Sequence, residues 1–104
     1  MRRKPPTTEE RAHMGRVADL GCIVCRNEGA GFVRACVHHL KTGMGMGQRA
    51  SNFQTIPLCR VHHQDGPFGV AFHAGSREWQ KNHGTETELL AQVKALLLEM
   101  EEAS

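Results

Sequence analysis

The sequence predicts a small α+β domain: a ββα unit stapled by zinc, with one helix before it and two after it. Three observations lead there. Cys22-x-x-Cys25 and Cys59-Arg60-Val61-His62 lie roughly 30 residues apart, two short knuckles whose ligand types and spacing suit a closed tetrahedral zinc site. Of two adjacent histidine pairs, His38-His39 sits at the end of an apolar run of strand character and His62-His63 on the knuckle that follows a second such run. Both flanks of this region carry helix start signals followed by helical periodicity.

The elements follow in order. Residues 1–7 form a basic, proline-bearing tail, and 8–104 form a single domain. Thr8 caps a helix running to about Asp19, with Glu9 and Glu10 in its first turn, Met14, Val17 and Ala18 on one side, and Gly21 as its stop. Gly21-Cys22-Ile23-Val24-Cys25 is a knuckle turn. Phe32 to Leu40 reads as a strand that delivers the first histidine pair at its end. Gly43, Gly45 and Gly47, interleaved with Met44 and Met46, make 41–51 a loop on the substrate side. No strand-to-helix Walker spacing accompanies it, which argues against a nucleotide triphosphate site. Phe53 to Leu58 is the second strand, and Cys59 to His63 begins a knuckle and a helical turn. Beyond the Gly66-Pro67 loop, Ser76 caps a helix from Arg77 to His83 that Gly84 ends. Thr85-Glu86-Thr87-Glu88 is a capping box for the last helix, whose stripe of Leu89, Val93, Leu96, Leu97 and Met100 reads as a docking face within the domain and so suits a monomer.

Composition narrows the class. In 104 residues only 5% are aromatic and none is tyrosine, so the core must lean on aliphatic side chains, on Phe32, Phe53, Phe68, Phe72 and Trp79, and on a metal. The start, Met1-Arg2-Arg3-Lys4-Pro5-Pro6, has no apolar segment after its charges and does not resemble a secretory signal. A reducing cytoplasm is therefore expected, with free thiols in place of disulfides. No apolar stretch approaches the roughly 20 residues of a membrane span. The net charge of +2 is mild; its distribution is more informative, with basic residues through the first half and an acidic C-terminus at Glu99, Glu101 and Glu102.

The ligands divide into two sets. Neighbouring residues point to opposite faces of a strand and diverge by about 100° on a helix, so two adjacent imidazoles rarely share one ion. Cys22, Cys25, Cys59 and His62 are assigned to a structural zinc, whose binding supplies on the order of 10 kcal/mol to folding. Cys36 could replace His62 to give an all-cysteine site or, sharing a strand face with His38, pack beneath a second ion as a small hydrophobe, and it is assigned to neither role. His38, His63 and His73 then form a second set, three ligands that leave positions for water and substrate. His39 stands outside both sets, with the ordinary imidazole pKa near 6.5 that a general base needs. A noncatalytic zinc module that only binds DNA or protein is the competing class, and it leaves the second set of imidazoles without a use.

Cys22-x-x-Cys25, His38-His39, Asn52, Pro57-Leu58-Cys59-x-x-His62-His63 and His73 together resemble an HNH endonuclease with a ββα-metal core, a treble-clef-like fold. More narrowly, Gly21-Cys22-Ile23-Val24-Cys25, His38-His39-Leu40, Thr55-Ile56-Pro57-Leu58-Cys59, His73, and Trp79 followed by His83-Gly84-x-Glu86-x-x-Leu89-Leu90 resemble the Ref family of phage recombination-enhancing, RecA-dependent nucleases. The resemblance implies hydrolysis of DNA phosphodiesters: His39 as general base, Mg²⁺ or another divalent ion on the histidine trio, and a RecA filament as partner. The family's middle asparagine would fall at Gln54, whereas this chain carries Asn52, so the task of bracing the base falls to Asn52, to Gln54 or to neither. Lys41, Arg49 and Arg60 are the expected phosphate contacts.

Overall fold

The computed structural model describes residues 4–45 and 48–103; Arg2 and Arg3 of the expected tail, and Met46 and Gly47 of the expected loop, lie outside them. Helix α1 spans Thr8–Asp19. Its cap is Thr7, one residue earlier than the sequence suggests: the Thr7 hydroxyl accepts from the Glu10 amide at 3.1 Å while the Glu10 carboxylate accepts from the Thr7 amide at 2.8 Å. This reciprocal box satisfies two amides that no helical carbonyl can reach. After the helix, Gly21 turns the chain with φ 78°, and a Cβ there would lie 2.7 Å from the Phe32 ring. Only glycine serves this corner.

A single helical turn, α2 (Ile23–Asn27), follows, with the Cys22 sulfur accepting from the Cys25 amide at its start. Strand β1 is Cys36–His39 and strand β2 is Thr55–Leu58, paired antiparallel with Cys36 opposite Leu58 and His39 opposite Thr55. Both strands are shorter than expected. β2 ends at Leu58 because Cys59 opens the knuckle, so Phe32–Ala35 find no partner strand; the Val33 carbonyl accepts instead from the Cys22 amide at 2.8 Å, and Phe32 turns aside to cover Gly21. At its other end, Ser51–Gln54 closes a turn, with the Gln54 amide donating to the Ser51 carbonyl and the Thr55 hydroxyl to the Asn52 carbonyl. Pro57 is tolerated because each strand of a two-stranded sheet has a free edge.

One turn of π-helix, Val61–Asp65, carries the second histidine pair, and a 3₁₀ turn at Phe72–Ala74 carries His73. Helix α3 spans Ser76–His83, so Ser76 is its first residue; Gly75 precedes it without a side-chain cap. Helix α4 runs Glu86–Ala103 behind the expected box, in which the Thr85 hydroxyl accepts from the Glu88 amide and the Glu88 carboxylate from the Thr85 amide. Its buried face is Leu89, Leu90 and Val93 with Glu86, whereas Met100 is exposed.

The core gathers Val17, Ile23, Val24, Ile56, Leu58, Trp79, Leu89 and Val93 around the sheet. Of the expected aromatic contributors only Phe72 and Trp79 are buried; Phe32, Phe53 and Phe68 are exposed. Trp79 ties the core to the knuckle, its indole N–H donating to the His62 carbonyl at 3.0 Å. No helix among the described residues is long and apolar enough to cross a membrane.

Candidate functional site

The knuckles converge. Cys22, Cys25, Cys59 and His62 place their sulfur and ring-nitrogen atoms within 4.8 Å of one another. Cys25 Sγ and Cys59 Sγ are 3.8 Å apart, and His62 Nδ1 lies 3.3 to 3.6 Å from the three sulfurs. Ligands at bond lengths of about 2.3 Å for sulfur and about 2.0 Å for nitrogen on a tetrahedral ion have these separations. Burial and the neighbouring sulfurs push the Cys25 thiol up to about 12, and burial raises Cys22 as well. Three packed sulfurs cannot ionise together without a cation among them, which is what a metal supplies. The cluster can therefore hold a metal such as zinc. The other ring nitrogen of His62, Nε2, faces Glu28 Oε1 at 3.1 Å, and a carboxylate there fixes the ring with Nδ1 toward the sulfurs.

One histidine of each pair, His38 and His63, goes to a second cluster. Strand alternation sends His38 inward, 2% exposed, and the π turn sends His63 to meet it; His73 completes the set, all donor atoms lying within 4.8 Å. His63 Nε2 and His73 Nε2 are 3.0 Å apart, the spacing of adjacent ligands at about 2.1 Å from a six-coordinate ion. Burial first, then the field of His38, His73 and Lys41, lowers the His63 pKa to about 4, and burial lowers His73 too. Both rings are thus neutral at physiological pH, the form in which imidazole binds a metal.

A residue that sequence reasoning used only as helix punctuation organises this trio. Glu86, at the start of α4 and 1% exposed, meets His38 Nε2 at 2.7 Å. It also accepts from the Lys41 and Thr42 amides and from the Thr42 hydroxyl. Burial alone would raise its pKa, but these hydrogen bonds from His38, Thr42 and the Lys41 amide outweigh it and bring it down to about 2. The carboxylate therefore stays charged, holds the His38 ring and leaves Nδ1 of that ring for an ion. The one signal in the sequence was its place in the His83-Gly84-x-Glu86 run.

His39 lies on the opposite strand face, outside both clusters, with Nε2 2.7 Å from Asn52 Oδ1. Asn52, and not Gln54, meets the ring; its amide nitrogen donates to Glu10 Oε2 at 3.1 Å. His38, His39, His63 and His73 line one open cleft of about 210 Å³ together with Val37, Lys41 and Arg49. Arg60 is not brought there: it lies outside the lining residues and donates to Asp65 at 3.0 Å. Cys36 joins neither cluster: it is exposed at the end of the sheet, its sulfur near the Leu58 carbonyl. Phe72 packs against His38, with ring centroids 4.4 Å apart.

The arrangement offers a closed thiolate-rich cluster, an open imidazole trio, an imidazole oriented by an amide, and two cationic side chains on one concave surface. The family described as recombination enhancement, RecA-dependent nuclease matches residues 6–98.

Proposed function

Given that the chain belongs to this family of RecA-dependent nucleases in recombination enhancement, we propose that it is a metal-dependent DNA endonuclease of the HNH type. The single observation that carries this reading is one cleft lined by both the imidazole trio and a separately oriented imidazole. The order β1, loop, β2, helical turn, with His38 and His39 on β1 and His63 on the turn, is that of a ββα-metal unit, and the thiolate cluster is its structural zinc site.

His39 is the general base. Asn52 Oδ1 can only accept a hydrogen bond, so His39 Nε2 carries the ring proton and the neutral ring has its lone pair on Nδ1. From there it takes the proton of the water that attacks phosphorus. Asn52 fills the bracing role, while the Gln54 backbone closes the turn and accepts from the Leu40 amide. A divalent ion on His38, His63 and His73, Mg²⁺ or a transition ion that imidazole prefers, would stabilise the charge that develops on the leaving oxygen. Lys41 and Arg49 hold the DNA phosphates against the cleft, and Arg60, outside the cleft and paired with Asp65, is the weaker phosphate contact. A RecA filament on single-stranded DNA is the partner that the family description suggests.

Nicking of supercoiled and single-stranded DNA, with and without RecA, compares Mg²⁺, Mn²⁺ and EDTA on the wild type and His39→Ala. Cutting by wild type with divalent ion alone is expected. Equal cutting by His39→Ala removes that residue as the base, and binding without cutting by the wild type under every condition leaves a noncatalytic zinc-stapled DNA-binding module.

A further inference from the structure

We infer that Glu10 is a positioning residue for the base, acting through Asn52 to set which nitrogen of His39 carries its proton. The inference rests on the reading of His39 as the base. Its observation is a continuous chain of contacts from a helix cap to the cleft.

Capping α1 occupies one oxygen of Glu10, Oε1, which accepts from the Thr7 amide. The other, Oε2, accepts from the Asn52 amide nitrogen across 42 residues of sequence. A carboxylate in its charged form accepts and never donates, whereas a primary amide has one end of each kind. The carboxylate therefore decides how the Asn52 amide lies, with Nδ2 toward Glu10 and Oδ1 toward His39. Oδ1 in turn requires a proton on His39 Nε2. Each contact removes one ambiguity, and the chain ends with the lone pair of His39 on Nδ1. The hydrogen bonds from Thr7 and Asn52 hold the Glu10 pKa below the ordinary carboxylate value despite some desolvation, so the carboxylate remains an acceptor wherever the enzyme works.

Glutamine at this position separates the two roles. Glutamine caps a helix as glutamate does, but once its oxygen accepts from the Thr7 amide, its NH₂ faces Asn52. The Asn52 amide then turns over, presents Nδ2 to His39, and moves the ring proton to Nδ1, where a base needs its lone pair. Glu10→Gln is therefore expected to melt with the wild type and to lose about 10- to 100-fold in kcat with KM for DNA unchanged, part of the ~10²–10⁴ that a positioned base contributes. Heteronuclear NMR of the His39 ring should show the Nε2–H tautomer in the wild type and the Nδ1–H tautomer in Glu10→Gln. Adding Glu10→Gln to Asn52→Ala should cost nothing more, since the relay is already cut. The inference is overturned by an unchanged tautomer and rate in Glu10→Gln, or by losses that add in the double variant. His39→Ala assayed alongside keeps the two questions apart: if it cuts normally the base assignment fails, while the tautomer of the wild-type and Glu10→Gln rings still decides the relay.

Discussion

Replacing Glu86 by glutamine tests whether the fold and the imidazole trio share one buried charge. The carboxylate meets His38 Nε2 and the Thr42 hydroxyl at 2.7 Å, the Thr42 amide at 2.8 Å and the Lys41 amide at 3.0 Å. Glutamine has one acceptor oxygen and brings an NH₂ against groups that already donate. Two routes give the magnitude. The depression from 4.5 to about 2, at ~1.4 kcal/mol per unit, corresponds to about 3 kcal/mol. Breaking a buried pair with its hydrogen bonds costs ~3–5 kcal/mol. About 3 kcal/mol is a large part of the ~5–15 kcal/mol by which domains are stable. The sign with pH follows from a folded-state pKa below the unfolded one: the contribution is fully present above the unfolded value of 4.5 and is lost as pH falls toward about 2. Urea unfolding of zinc-loaded wild type and Glu86→Gln, measured between neutral and acid pH, gives the difference. Protonation of the zinc ligands is common to both proteins and cancels in it. The difference should be about 3 kcal/mol at neutral pH and shrink on acidification, and titration calorimetry should show Mn²⁺ or Zn²⁺ bound at the trio ~10–100-fold more weakly in the variant. A flat difference below about 0.5 kcal/mol, the size of an ordinary surface substitution, would refute the reasoning.

Two further outcomes are expected. Cys59→Ala, or a strong chelator added to the wild type, should abolish cooperative unfolding, because an ion bound to the Cys/His cluster would supply on the order of 10 kcal/mol to a domain with few buried aromatics; circular dichroism with and without added Zn²⁺ checks it. Lys41→Ala with Arg49→Ala should reduce the slope of log K against log salt for double-stranded DNA by about 0.9 per charge removed, read by fluorescence anisotropy, with Arg60→Ala changing it less because Arg60 pairs with Asp65.

The grouping of the side chains that could hold a metal was legible in the sequence because it depends on local geometry. Strand alternation separates His38 from His39, and a helical turn separates His62 from His63, whatever the rest of the chain does. The helix starts were legible for the same reason, to within a residue: Thr7 caps α1 in place of Thr8, and the Thr85 box is in place. What the sequence did not disclose depends on distant partners. Strand length is set by the partner strand, so Phe32–Ala35 looked like β1 but had no strand beside them, and Val33 pairs with the Cys22 knuckle instead. The apolar character of Phe53 and Phe68 does not say which aromatics a small core has room for. Glu10 and Glu86 both read as helix-start residues, and neither the Asn52 contact nor the His38 contact, 48 residues away in sequence, leaves a local trace.

The π turn at Val61–Asp65 gives its two imidazoles to different clusters, His62 to the thiolates and His63 to the open trio. A residue inserted between His62 and His63 would rotate one ring away from its cluster while the other stayed in place. Point changes at Val61 or Gln64 leave that phase intact. Val61 and Gln64 should accordingly tolerate replacement while the two histidines stay adjacent, and one residue inserted between them would disarm one cluster without removing a single imidazole.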